Sequence, residues 1–166
     1  RLRLPPVRPL PFPSREDPMP THAETRVLPY EPQQLFDLVA DVGKYPEFLP
    51  WCVAARVRKH EREGRRVIAD LVIGFKMVRE RFTSRVELYP DDPEAPRIHV
   101  EYIEGPFKYL NNTWKFLDHP DGCLIDFYVD FEFRSRFLQK MIQPLFNEAV
   151  RRMVAAFESR ARQLYG

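Results

Sequence analysis

The stretch from Ser135 to Tyr165 constrains the fold more than any other part of the chain, because its apolar residues obey one helical rule throughout. Leu138, Met141, Ile142, Leu145, Ala149, Met153, Ala156, Phe157, Ala161 and Leu164 recur at steps of three and four, the spacing that keeps one helical face buried. Phe137, Phe146, Val150 and Val154 widen that stripe beyond what contact with one flat sheet needs. Ser135 is placed to cap the first turn with its hydroxyl, and Gly166 stands where a helix ends. Pro144 deletes one backbone hydrogen bond and crowds the turn before it, so the expectation is a bend near Ile142–Leu145 and not a break. At about 1.5 Å per residue the helix reaches roughly 45 Å, across a whole small domain. Everything before it must supply the surface against which that face packs.

The preceding chain reads as strands. Glu24–Pro29 is expected as a short strand, and Glu31–Val42 as a helix with Pro32 in its first turn and Leu35, Phe36, Leu38 and Val39 on its apolar side. Tyr45–Trp51 is too apolar for an ordinary loop and too rich in proline for a long helix, which predicts a short helical turn over a cavity mouth. Strands are then expected at Val53–His60, Arg66–Phe75, Val78–Tyr89, Arg97–Glu104, Tyr109–Asp118 and Cys123–Phe133, with Gly64, Pro90–Pro96, Gly105-Pro106 and Pro120–Gly122 as turns. Cys123, Ile125, Phe127, Val129, Phe131 and Phe133 share one strand face while Asp126, Tyr128, Asp130 and Glu132 share the other, so one side of the sheet is wet. The expected class is α+β, with a curved antiparallel sheet of about seven strands wrapped around the long C-terminal helix and two short helices after the first strand. A curved sheet closing on a helix through large inward aromatics leaves an apolar pocket.

Composition bounds the rest. The 166 residues are 44% apolar and 13% aromatic, enough for one domain that buries about 70% of its unfolded surface. Residues 1–18 hold six prolines, a density that forbids helix and sheet, so they are expected as an extended disordered tail outside a domain at 19–166. Two cysteines are too few for a disulfide framework and point to a reducing, cytoplasmic setting. No apolar run approaches the ~18 residues of a bilayer span. His22, His60, His99 and His119 are not paired at metal-ligand spacing, and no glycine-rich phosphate loop or nucleophile elbow occurs, so no metal and no cofactor are expected. Net charge is only +2, and the basic residues Arg56, Arg58, Lys59, Arg62, Arg65 and Arg66 on one hairpin, with Lys76, Arg79, Arg81 and Arg85 beyond, fit a solvated strand face as well as a contact with anionic lipid or ribosomal RNA. Nothing in the sequence reads DNA.

Several segments carry a family resemblance: Leu35–Cys52 (LFDLVADVGKYPEFLPWC), Gly74-Phe75, Glu80–Val86 (ERFTSRV), Gly105–Lys108 (GPFK), Asn112–Trp114 (NTW), Asp130–Phe133 (DFEF) and Arg160–Gly166 (RARQLYG). In order and spacing these resemble the coenzyme Q-binding proteins of the START-like, polyketide cyclase-like superfamily, whose bacterial members include a ribosome-association toxin. The resemblance covers about residues 22–166. It implies a helix-grip fold and non-enzymatic binding of coenzyme Q (ubiquinone) or a polyprenylated relative, in support of respiration and quinone synthesis. The expected place of work is a membrane surface, reached from the cytoplasm and peripheral on the inner membrane face.

A polyprenylated quinone needs a deep apolar tunnel with one or two hydrogen-bonding groups. The residues expected to line it are Phe36, Val39, Tyr45, Phe48, Trp51, Phe75, Trp114, Phe116, Phe127, Met141, Leu145, Phe146 and Val150, although an inward aromatic is ordinary core in most proteins. Strand parity also turns Glu80, Ser84 and Asn112 inward. Glu80 reads as a general base, as an acceptor for a quinol hydroxyl, or as a carboxylate paired with a nearby arginine, and the pairing carries most weight. Phe48, Leu49 and Trp51 are expected as a lid that touches the bilayer beside Lys44, against an equal case for plugging the core. Two other function classes stay open: a ribosome-binding toxin that blocks subunit association, and a cyclase-like enzyme.

Overall fold

The computed structural model describes residues 21–75 and 78–166. The proline-rich segment 1–18 lies outside the described residues. The elements run β1 (Thr21–Leu28), α1 (Pro32–Ala40), a 3₁₀ turn (Val42–Glu47), β2 (Cys52–Glu61), β3 (Arg66–Phe75), β4 (Val78–Tyr89), β5 (Arg97–Glu104), β6 (Phe107–His119), β7 (Gly122–Phe133), α2 (Arg136–Ile142) and α3 (Phe146–Tyr165). One seven-stranded sheet has the order β1-β7-β6-β5-β4-β3-β2, with each neighbouring pair antiparallel. The helices between β1 and β2 carry the chain from one sheet edge to the other.

Local chemistry sets the element ends. Pro32 opens α1, where its missing N–H is not needed, and Gln34 Oε1 accepts from the Glu31 amide at 3.0 Å. Gly105 turns β5 into β6 at φ +144°, where a Cβ would sit 2.6 Å from Phe82 Cβ, so a side chain has neither the backbone nor the room. Ser135 Oγ accepts from the Leu138 amide at 3.3 Å and starts α2.

The C-terminal region differs from a single bent helix. α2 and α3 are separate, joined by a 3₁₀ turn at Gln143–Leu145. Pro144 has no N–H to give the Lys140 carbonyl, and its ring displaces the preceding turn, which leaves a tighter turn as the connection. The backbone through the turn stays right-handed helical, so both helices still lie against the concave face.

α3 buries Phe146, Val150, Val154, Phe157 and Ala161, whereas α2 buries none of its residues. The larger core joins α1, α3 and the strands, with Phe116, Cys123 and Phe127 almost wholly buried. A smaller core gathers Phe82, Phe107 and Phe133 beneath α2. Arg26 ties β1 to α3 through Glu158 at 2.8 Å, and the Tyr165 hydroxyl donates to the Gln34 carbonyl at 3.0 Å.

Candidate functional site

Between the two cores the concave face is hollow. An inner chamber of about 200 Å³ lies under the junction of α1, the 3₁₀ turn and α3. An outer chamber of about 250 Å³ lies beneath the α2–α3 joint and the β3–β4 hairpin. Trp51, Ile73, Phe82, Leu110, Val129 and Met153 line both, so the two chambers share a wall. Among the described residues that line them, none carries a charge.

Strand alternation builds the sheet side of this space. Ala69, Leu71 and Ile73 of β3 face Phe82, Ser84 and Val86 of β4, and Leu110, Asn112 and Trp114 of β6 continue the wall. On the helical side Met153 and Phe157, one turn apart on α3, join Val39 of α1 at the inner chamber. Trp51 is pinned at the common wall because the Gly74 amide donates to its carbonyl at 2.9 Å. Gly74 is crowded: a Cβ there would meet Val53 Cγ2 at 2.7 Å.

The residues expected to line a tunnel divide into four groups. Val39, Tyr45, Trp51, Trp114 and Phe127 line the inner chamber, and Phe75, Leu145, Phe146 and Val150 line the outer one. Phe36 and Phe116 are instead solid core, packed edge to face at 6.0 Å beyond the chambers. Phe48 lies outside both linings, with its ring edge-on to Tyr45 and Phe157 and the Arg160 guanidinium 5.2 Å above it. Met141 is half-buried on α2, outside both linings.

Glu80 also lies outside both linings, although strand parity turns it inward. The β4–β5 pairing ends at Thr83, so residues 78–82 are paired with β3 alone, and a long carboxylate on that arm stays half-exposed. Two carboxylates of this sheet are buried, Asp70 and Glu87, both on the opposite, convex face, and Asp70 is the one held by three donors. Thr83 Oγ1 donates to it, Arg81 reaches it at 2.6 Å and Arg58 at 3.6 Å. Burial alone would raise the Asp70 pKa, but these donors outweigh it and hold the carboxyl below its ordinary value. Its signal in the sequence was a carboxylate set in a β-branched, apolar strand, opposite Thr83.

Much of the basic hairpin is engaged with neighbouring acids. Lys59 reaches Glu61 at 3.1 Å, Arg65 reaches Asp91 at 3.1 Å, Arg66 reaches Glu87 at 2.6 Å and Arg85 reaches Glu101 at 2.9 Å.

The inner chamber is polar only at a few neutral points. The Tyr45 hydroxyl donates to the Val39 carbonyl, and burial, assisted by Cys52 and Asp41, raises its pKa well above the ordinary value. Burial pushes the Cys52 thiol up to about 11, so it stays protonated at neutral pH. Asn112 donates Nδ2 to the Tyr128 carbonyl at 2.9 Å and accepts from Trp114 Nε1 at 3.1 Å. Such a space suits a large apolar molecule with few polar atoms. Among the described residues it offers no paired acid and base at the chamber wall.

Comparison with known proteins places this geometry in a wider group. The family model described as polyketide cyclase / dehydrase and lipid transport matches residues 28–158. A protein named ribosome association toxin RatA, from Rickettsia prowazekii, is 41% identical over 140 residues, 84% of this chain and 94% of its own length. The mitochondrial coenzyme Q-binding protein COQ10 homolog B of Xenopus laevis is 34% identical over 150 residues, 87% of this chain and 59% of its own length. An 18 kDa protein of Caulobacter crescentus, known from its solution structure, is 40% identical, covers 88% of this chain and 98% of its own, and superposes with a TM-score of 0.71.

Proposed function

Because the chain belongs to the polyketide cyclase / dehydrase and lipid transport family, we propose that it binds coenzyme Q or a polyprenylated relative in the joined chambers and carries it unchanged. The observation that carries this reading is the pair of adjoining chambers whose lining side chains, among the described residues, are uncharged and almost all apolar. A small ring with one or two oxygens fits the inner chamber, and an isoprenoid chain fits the outer one, where no polar partner is needed. The coenzyme Q-binding name of the Xenopus relative supports that ligand class. Catalysis has little to work with here, since the polar groups of the inner chamber are neutral and Asp70 is spent on the convex face. Peripheral contact with an anionic membrane is part of the same reading, because loading so insoluble a molecule requires a lipid surface. The exposed Phe137 of α2, with Arg136 and Lys140 beside it, suits that contact.

Mass spectrometry of an organic extract of the purified protein tests the reading. Quinone at near-stoichiometric amounts is the expected result, and an extract free of polyprenylated lipid overturns it. The name of the Rickettsia relative favours a second reading, a ribosome-binding protein that blocks subunit association. Sucrose-gradient sedimentation separates the two, because only the ribosome reading expects added protein to shift joined ribosomes toward free subunits.

A further inference from the structure

Three buried side-chain atoms among the described residues have no hydrogen-bond partner: Ser84 Oγ, Arg85 Nε and Asp130 Oδ1. Of these, only Ser84 belongs to the wall of a chamber. Its residue is 2% exposed, so water does not reach the hydroxyl from the bulk. Leaving a buried hydroxyl unpaired is costly, and native structures do so rarely and usually for a reason.

The neighbours show that the vacancy is selective. The preceding hydroxyl, Thr83 Oγ1, is satisfied on the convex face by Asp70. Inside the chamber the Tyr45 hydroxyl, the Cys52 thiol and both ends of the Asn112 amide are bonded within the protein. Rotating Ser84 brings it no carboxylate, since the residues opposite it are Ala69 on β3 and Tyr102 on β5, and the Tyr102 hydroxyl is engaged with the Phe107 amide. The pairing with β5 shifts register between Thr83 and Ser84, the kind of irregularity that re-aims a side chain.

We propose that Ser84 is the polar anchor of the bound ligand. Its hydroxyl donates to a carbonyl oxygen of a ring held in the inner chamber, and the apolar chain passes Trp51 and Met153 into the outer chamber. Because a hydroxyl both donates and accepts, the same side chain also takes the hydroxyl of the reduced ring. One residue therefore serves both forms, which a fixed donor such as an ammonium cannot do. This assignment rests on the quinone-carrier reading, and it adds head-first orientation to it.

The test compares two probes on the full chain, a ubiquinone with a two-unit isoprenoid chain and a benzene carrying the same chain but no ring oxygen. Calorimetry is run on the wild type and on Ser84→Ala. The variant is expected to melt no lower than the wild type, since it loses an unpartnered hydroxyl. It should bind the quinone about tenfold more weakly, the weight of one hydrogen bond, and the oxygen-free probe equally well. Infrared spectra of the wild-type complex should show one ring carbonyl stretch lowered by hydrogen bonding, and the shift should vanish in Ser84→Ala. An unshifted carbonyl in the wild type, or equal effects of the variant on both probes, overturns the anchor while leaving the carrier reading intact. If the wild type binds neither probe, the carrier reading fails and the anchor fails with it.

Discussion

The two ends of the concave face are built from the same inward-facing aromatics and yet one is solid and the other hollow. At the closed end Phe116 and Cys123 are both 0% exposed, and Phe36 of α1 meets Phe116 edge to face at 6.0 Å. Here α1 and α3 both cover the sheet. At the open end Phe107 stacks with Phe133 at 4.8 Å, but the cover is α2, which buries no residue, and the 3₁₀ turn at Pro144. The difference teaches that the outer chamber depends on how the helices cover the sheet as well as on what the sheet presents. A proline that shortens the helix contact leaves room for a guest where a continuous helix would have filled it.

Two substitutions would break this contrast if it is wrong. Phe116→Ala, at the closed end, empties a site with no room to collapse and should cost about 3–5 kcal/mol. A thermal melt should show that as a drop of roughly 10 °C or more. A drop of only a degree or two would mean that the closed end is not solid. Leu145→Glu, on the half-buried wall of the outer chamber, should cost less, about 1–2 kcal/mol, because the carboxylate can turn to water. It should nonetheless remove quinone from the organic extract. Retained quinone in that folded variant would place the chain of the ligand elsewhere.

The fold was largely legible. The bounds of β3, β4 and β5 follow from alternation and from the turn residues that flank them, and the face of β7 is read directly from its apolar parity. Of the stripe expected on the C-terminal helix, α3 buries Phe157 and Ala161, with Phe146, Val150 and Val154 of the widening row, whereas Leu164 is exposed at the end of the helix and Phe137 is exposed on α2. The site was legible only as a list of inward residues, because parity says which face a side chain takes and not how far along that face the cover extends. Phe116 shares the parity of the cavity residues but lies under α1 and α3, and Glu80 shares it but sits on the arm beyond β5. Hydrogen-bond satisfaction was beyond reach for the same reason: Thr83 and Ser84 are adjacent hydroxyls, and only their surroundings distinguish a partnered one from an unpartnered one.

The convex face sharpens the contrast through pH. Asp70 has its pKa lowered in the folded state, so it contributes stability at neutral pH that is lost as pH falls through that lowered value, below ~4. The cavity wall, with no charged lining residue among the described residues, contributes no such slope. Melting temperatures followed from neutral to acid pH should therefore show a wild-type decline that Asp70→Asn flattens, with the variant lower at pH ~7 and the two curves converging in acid. Parallel curves would mean that the Arg81 and Thr83 contacts do not stabilise the ionised form.

The smallest effect on stability is expected at the rim of the open end. Phe137 is 74% exposed on α2, next to Arg136 and Lys140, whereas Phe48 is held between Tyr45, Phe157 and Arg160. The lid expected at Phe48, Leu49 and Trp51 is thus engaged inward, and the free aromatic belongs to α2. Phe137→Ala should move the melting temperature by no more than about 0.5 kcal/mol is worth, since it removes a solvent-facing ring. Partition to anionic vesicles should fall roughly tenfold, because a ring inserted among acyl chains is worth a good part of the ~1.5–3 kcal/mol of full burial. Phe48→Ala should do the reverse, lowering the melting temperature while leaving flotation of the folded protein unchanged. If instead Phe137→Ala floats like the wild type and Phe48→Ala loses the vesicles without losing stability, the membrane contact lies at the 3₁₀ turn and the open end is loaded from the other side.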